Sequence, residues 1–296
     1  MYRLFVPPET LASQPVVLGR ELAHRLGRVL GLRLGDRVVL LDNTGWEYEG
    51  EIARLARDLV EVRLVGKSLA RGEPATCIHL YQALLKATKI EWVLQKGTEL
   101  GVSSFTPLVC RRSVPGTPAV DTMARWGKII QQAAEQSGRG LLPALNPPLA
   151  LAEAVAVAPG LRLLPWEGER ARGLRAVLEA AMVASRGGHP NTQPVARSLK
   201  PEARSPQPEA RSPWPEISLF IGPEGGWEEE EVALASSRGA VAVSLGGRGR
   251  LARSIEQLRA AAEEWVARPG PMIIDLRVSR TVLPIPYRRI YHGKDV

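Results

Sequence analysis

The sequence is poor in the residues that build metal centres and disulfide frameworks. Of its 296 residues only two are cysteines, Cys77 and Cys110, which lie far apart and outside any Cys-x-x-Cys spacing. The four histidines, His24, His79, His189 and His292, are scattered singly, so no zinc set can be assembled and no metal site is expected. Two structural thiols in a reducing cytoplasm is the simplest reading. No apolar run approaches the length of a membrane span, and the opening residues MYRLFVPPE contain no apolar signal core. A cytoplasmic protein without a membrane partner is therefore expected. A Gly-x-Gly-x-x-Gly dinucleotide fingerprint is absent, and so is a P-loop ending in Gly-Lys.

What the chain has in excess is positive charge. It carries 39 Lys and Arg against 31 Asp and Glu, a formal +8 with a pI near 9.9. That balance favours an anionic partner, of which nucleic acid is the commonest. A hydrophobic content of 45% and a charged content of 24% are ordinary for a globular chain, and the length suits one or two domains.

The pattern of elements changes near residue 73. Residues 1–72 read as a small β-rich domain. Its runs at 37–41, 46–52 and 59–64 are separated by turn signals such as Asp42-Asn43-Thr44-Gly45, and a helix around His24, Leu26 and Val29 precedes them. Beyond it, strands at 77–83, 105–110, 161–165, 217–221 and 240–245 alternate with helices at 90–100, 120–136, 173–184 and 228–237. This is the signature of a parallel α/β domain, spanning 73–269. Residues 186–214 interrupt it with a near-duplication, Pro-Glu-Ala-Arg-Ser-Pro at 201–206 and again at 208–213. Rich in Pro, Ser and charge, this stretch reads as a disordered surface insertion that cannot offset its ordering entropy. Residues 270–296 read as a basic tail.

The sharpest chemical signal is Ile221-Gly222-Pro223-Glu224-Gly225-Gly226-Trp227. It follows an apolar strand and precedes an acidic helix start at 228–231, where carboxylates suit the positive helix end. Glycines permit positive φ and close approach of a ligand to the main chain. The carboxyl end of a parallel strand is where open α/β sheets bind ligands. Three glycines are equally compatible with an ordinary strand-to-helix turn.

This loop, followed by Val243-Ser244-Leu245-Gly246, resembles the cofactor-binding half of the SPOUT superfamily. The match is most specific to the RsmE family, which methylates N3 of a uridine in 16S ribosomal RNA. Further segments carry the resemblance: Leu84-Leu85-Lys86, Gln95 to Val102, Arg112-Ser113-Val114 and Ala133-Ala134-Glu135-Gln136-Ser137-Gly138-Arg139. So do His24, Arg28-Val29-Leu30 and Gly35-Asp36 in the first domain. The resemblance implies an α/β protein, in which a PUA-like β-barrel that binds RNA precedes a trefoil-knotted parallel domain that forms a homodimer. It implies S-adenosyl-L-methionine as cofactor, held by the main chain of three loops. In this sequence these loops contain Leu164 and Pro165, then Gly222, Pro223, Glu224, Gly225 and Gly226, then Ser244, Leu245 and Gly246. The partner it implies is 16S ribosomal RNA or the small ribosomal subunit.

The reaction implied requires in-line approach of uridine N3 and help with its proton. Glu224 either makes a polar contact beside the cofactor or caps a nearby helix. Arg139 either touches phosphate or base, or forms a surface ion pair. Arg28, Lys86, Lys89, Lys96, Arg112 and Arg125 are candidates for an RNA-facing surface. Trp227 is expected to pack beside the cofactor loop. The resemblance weakens after Gly246, where the family's closing Arg and Glu-Thr-Ala segment is met only by Arg253, Ser254 and Glu256 at altered spacing. Leu251, Ile255, Leu258, Ala262 and Trp265 still form a helical apolar stripe. An RNA-binding protein with a degenerate, inactive cofactor knot is the alternative reading of that departure.

Overall fold

The computed structural model describes residues 1–86, 88–114, 116–187 and 216–245, together with 248–252, 257, 259–260, 263 and 272–276. The first domain is a curled five-stranded sheet in the order β1-β3-β4-β5-β2. Its strands are β1 (Tyr2–Phe5), β2 (Val16–Leu18), β3 (Arg37–Leu41), β4 (Trp46–Leu55) and β5 (Val60–Leu69). β1 runs parallel to β3, whereas β3–β4, β4–β5 and β2–β5 are antiparallel. Leu4, Leu18, Leu26, Val38, Leu40 and Ile52 fill the concave side.

β3 is apolar at successive positions rather than alternating, and the packing explains why. Val38 and Leu40 face the barrel core, while Val39 and Leu41 point the other way, with Phe5, onto Ala134 of the second domain. A strand covered on both faces loses the polar half of its alternation. The helix expected around His24 is a short α1 (Arg20–His24) that continues as a π-helical turn at Arg25–Val29. β1 and β2 escape the sequence pattern because they are only four and three residues long.

The second domain is built on a parallel sheet in the order β12-β10-β11-β6-β7-β8, with β9 beside β7. These strands are β6 (Ile78–Ala83), β7 (Ser104–Val109), β8 (Ala144–Leu145), β9 (Leu149–Ala150), β10 (Leu161–Pro165), β11 (Ile217–Ile221) and β12 (Val241–Val243). Both faces are covered. α2 (Lys89–Glu99) and α3 (Val120–Ser137) pack on one side with Leu80, Phe105, Trp126 and Ile130. α4 (Leu151–Val157) and α6 (Glu229–Ser237) pack on the other with Leu164, Phe220 and Val232. Tyr81 and Phe220 stack there at 4.5 Å between ring centroids. α5 (Leu174–Gly187) leads towards the expected insertion, whose residues 188–214 lie outside the described residues.

Two joints bind the domains. Glu135 of α3 accepts hydrogen bonds from the Phe5 amide and from the Arg25 guanidinium. At the end of α3, Gly72 of the connecting segment lies so close that a Cβ there would sit 2.3 Å from the Gly138 carbonyl oxygen.

The C-terminal expectations need correction. Leu251 does not belong to a helical stripe: it lies in β13 (Arg248–Ala252), which pairs in parallel with β14 (Met272–Leu276). Residues 257, 259, 260 and 263 are helical, and the other positions of the stripe, 255, 258, 262 and 265, lie outside the described residues. The tail expected from 270 likewise contributes β14. In both places a partner strand overrides a local helical or polar preference, as sheet pairing commonly does. The remainder of that tail lies outside the described residues.

Candidate active site

Three neighbouring strands, β12, β10 and β11, run parallel, so their carboxyl ends open on one edge of the sheet. This brings together the three segments singled out in the sequence: Leu164–Pro165, Gly222–Gly226 and Ser244–Leu245. The register Pro165↔Val243 puts the first and third side by side. The chain leaving β10 is then laced to the third segment. The Trp166 amide donates to the Val243 carbonyl at 3.1 Å. The Ser244 amide donates to Arg172 at 2.7 Å, and the Leu174 amide to Ser244 at 2.8 Å.

The glycine loop is a tight turn closed by the Gly226 amide on the Pro223 carbonyl at 2.9 Å. Gly226 has φ +72°, and a Cβ there would fall 2.4 Å from Glu167 Oε1. Only glycine fits that position without strain. Trp227 is buried as expected and lies beneath Gly222, its indole N–H donating to the Pro165 carbonyl at 3.2 Å. One ring therefore fixes the second loop against the first.

Carboxylates and cations tie the loop to the neighbouring strand ends. Glu224 accepts from Lys89 Nζ at 2.8 Å and lies 3.4 Å from the Lys86 amide, at the start of α2. The Lys89 hydrogen bond holds its carboxyl below the ordinary value. Arg112 donates to the Gly225 carbonyl at 2.8 Å. Glu228 takes Arg111 at 2.7 Å and Arg112 at 3.4 Å, and the Arg111 hydrogen bond likewise lowers its pKa. Glu231 accepts from the Glu228 amide as a helix cap and from the Arg111 amide. Next to them, burial pushes the Cys110 thiol up to about 12, with the Glu231 charge adding to the effect.

The expected site residues divide accordingly. Leu164, Pro165, Gly222, Pro223, Glu224, Gly225, Gly226, Ser244 and Leu245 converge, with Lys86, Lys89 and Arg112 around them. Gly246 and Arg253 lie outside the described residues. Glu224 lies within the glycine loop and meets the Lys86 amide and the Lys89 ammonium just before and at the start of α2, where no side chain caps the helix. Lys96 pairs with Glu99, and Arg125 with Glu91, both on α2. Arg28 sits in the other domain. Arg139 needs correction: it neither reaches the loops nor lies at the surface. Its side chain is 4% exposed and is consumed by Glu73 and by the Val102 and Thr98 carbonyls. Glu167 continues the first of the expected loops and Arg111 adjoins the expected Arg112, whereas Glu228 was not expected at the site; the run of glutamates after Trp227, opposite Arg111-Arg112, is the signal that could have found it.

The segment 72–249 matches the family described as RNA methyltransferase domain. Over 247 residues the chain is 30% identical to ribosomal RNA small subunit methyltransferase E of Synechocystis, covering 83% of this chain and 72% of that protein. The chain belongs to the ribosomal RNA small subunit methyltransferase E family. The corresponding enzyme of Bacillus subtilis is 32% identical over 130 residues, 43% of this chain and 50% of that one. Among solved structures, this family member resembles the Neisseria gonorrhoeae enzyme bound to S-adenosylmethionine, with a TM-score of 0.66 and 25% identity over 90% of this chain and 98% of that one. A methyltransferase of Legionella pneumophila in complex with the same cofactor gives a TM-score of 0.64 at 27% identity, with 90% and 98% covered.

Among the described residues, no helix is long and apolar enough to cross a membrane and no His/Cys/Asp/Glu cluster could hold a metal.

Proposed function

We propose that this chain transfers the methyl group of S-adenosylmethionine to N3 of a uridine in 16S ribosomal RNA. The observation that carries the reading is the meeting of three main-chain-rich loops at adjacent parallel strand ends, with Glu224 and its lysines at their rim. The loops fit the cofactor: they offer peptide groups for an adenine and ribose. Gly222, Gly225 and Gly226 add no side chain, and the Gly226 turn has no room for one. When bound, the cofactor supplies an electrophilic methyl group on a sulfonium.

The chain's own residues then have two tasks. Glu224, kept ionised by Lys89, accepts the uracil N3–H as the base enters and so seats its Watson–Crick edge; once that proton has passed to solvent, the freed N3 lone pair lies in line with the methyl group, and positioning of this kind supplies much of the rate. A carboxylate with a lowered pKa is a weak base towards an imide proton, so it orients more than it abstracts. Lys86 is exposed at the same rim and makes no ion pair among the described residues. Its ammonium stabilises the negative charge that develops on the uracil oxygens as the proton leaves to solvent. Lys89 and Arg112 hold the glycine loop in place rather than binding RNA directly.

The trefoil knot, the homodimer and a cytoplasmic location belong to the same reading and rest on the family. Mass-spectrometric mapping of methylated uridine in 16S ribosomal RNA from cells with and without the gene tests the reaction. An unchanged methylation pattern would refute it. Calorimetry with S-adenosylmethionine tests the site, and light scattering tests for a particle of twice the 32.2 kDa chain mass.

A further inference from the structure

Most carboxylates around the three loops are answered by the chain itself. Glu224 pairs with Lys89, Glu228 with Arg111 and Arg112, Glu230 with Arg111 and Glu169 with Arg172. Glu231 accepts the Glu228 and Arg111 amides, and Glu229 lies in the first turn of α6, at the positive end of that helix. Glu167 differs. It is exposed, and among the described residues no hydrogen bond or ion pair reaches its side chain.

The backbone around Glu167 is fixed on both sides. The Val243 carbonyl holds the Trp166 amide, and the Trp166 ring lies so close to Gly168 that a Cβ there would come within 2.4 Å of it. The side chain then reaches across to the glycine loop, where Oε1 and Oε2 would stand 2.4 and 3.5 Å from a Cβ on Gly226. The carboxylate rests against the Gly226 main chain, which admits it only because no side chain is there. β10 and β6 lie on opposite sides of β11, and the two glutamates divide the same way. Glu224 leans towards β6, onto Lys86 and Lys89. Glu167 comes from the β10 side, where the first and third loops meet. With the target base seated at Glu224, the methyl group passed to it lies between the two carboxylates, and the atom behind that methyl is the sulfonium sulfur.

We propose that Glu167 recognises the sulfonium charge of the methyl donor, and so makes the site bind S-adenosylmethionine more tightly than S-adenosylhomocysteine. The proposal rests on the reading of the three loops as the cofactor's seat. Glu167 faces a cation before transfer. When the methyl carbon leaves for N3, the sulfur keeps the bonding electron pair and becomes a neutral thioether, so the attraction to Glu167 ends and the product is released more easily. The amino group and the ribose hydroxyls are common to both molecules, so a carboxylate bound to either of those would not tell them apart. Because this attraction belongs to the ground state and fades as charge leaves the sulfur, it tightens donor binding without speeding the chemical step.

The test is calorimetric titration of the full chain with S-adenosylmethionine and, separately, with S-adenosylhomocysteine. Glu167→Gln should weaken donor affinity about tenfold, as expected for loss of one partly screened attraction between unit charges, and leave product affinity within about twofold. Salt screens an exposed pair, so between about 0.05 and 0.5 M the donor-to-product preference of the parent should shrink while that of the variant stays constant. The single-turnover rate at saturating donor should not fall. Glu229→Gln removes the same charge from α6 and should match the parent in both titrations, and all three chains should melt alike. Equal weakening of donor and product would put Glu167 on a group that the two molecules share and overturn the proposal. Donor affinity like the parent's in Glu167→Gln would overturn it as well. A parent chain that binds neither molecule would overturn the cofactor reading itself, which separates that failure from failure of Glu167 alone.

Discussion

Arg139 and Glu73 form an ion pair at the junction of the two domains, with Nη2 2.7 Å from Oε2. The same carboxylate accepts the Gly140 and Leu141 amides at 2.9 and 3.0 Å. The guanidinium in turn donates to the Val102 carbonyl. A single pair thus closes the end of α3, the turn after α2 and the segment between the domains.

Arg139→Met should therefore act on stability rather than on RNA contact. Removing one partner of such a pair leaves the other without its counter-charge, at a cost of about 3 kcal/mol or more. For a chain of this size that corresponds to a fall of roughly 5 °C in melting temperature. Thermal unfolding checks the first part. The salt dependence of transcript binding at 20 °C, expected to be unchanged, checks the second.

Gly226→Val should cost most of the cofactor affinity. The substitution combines a positive φ with a side chain aimed at Glu167, a strain of about 1–3 kcal/mol. Whether expressed as distortion of the turn or as loss of the cofactor's seat, this is roughly a five- to hundredfold weaker calorimetric affinity. Parent-like binding would show that the turn does not border the cofactor.

Glu224→Gln should slow methyl transfer by about tenfold or more while leaving cofactor affinity within threefold. Lys89 holds the Glu224 carboxyl below its ordinary 4.5, so this group is ionised throughout pH 5–9. The sign follows: its contribution is present above about 4.5 and lost only as pH falls below that. The rate should show no acid limb near neutrality and should rise with pH as the uridine proton becomes easier to lose. A limb between pH 6 and 7 in single-turnover assays would mean that a protein group, rather than solvent, takes the proton.

Thiol labelling at pH 8 should distinguish the two cysteines. Cys110 is buried and its thiol is pushed up to about 12 from 9.0, so in a Cys77→Ser variant the native protein should resist a disulfide reagent and react in full only in denaturant. The folded state keeps a proton that the unfolded chain releases near 9. Stability from this group is thus complete below pH 9 and declines between 9 and 12, which an alkaline melting series would detect.

Much of this protein was legible in order along the chain. Strands at Arg37–Leu41, Leu161–Pro165 and Ile217–Ile221 stand where their apolar runs end, because a strand covered by helices must be apolar throughout. The Gly222–Gly226 turn could be read because only glycine tolerates its backbone and its neighbours. Short elements such as β2, and α4 in the Ala-rich stretch at Leu151–Val157, left too little periodicity to be separated from loop.

Residue order by itself determined the longer elements, the basic balance and the loop chemistry, since each depends on neighbours a few positions apart. Tertiary structure alone decided which charges are spent. Arg139 reads as a surface cation and is buried on Glu73, 66 residues away. Arg112 reads as an RNA contact and holds the Gly225 carbonyl, 113 residues away. An ion pair is made by side chains whose separation along the chain carries no signal, so only the folded arrangement of the strands could assign it.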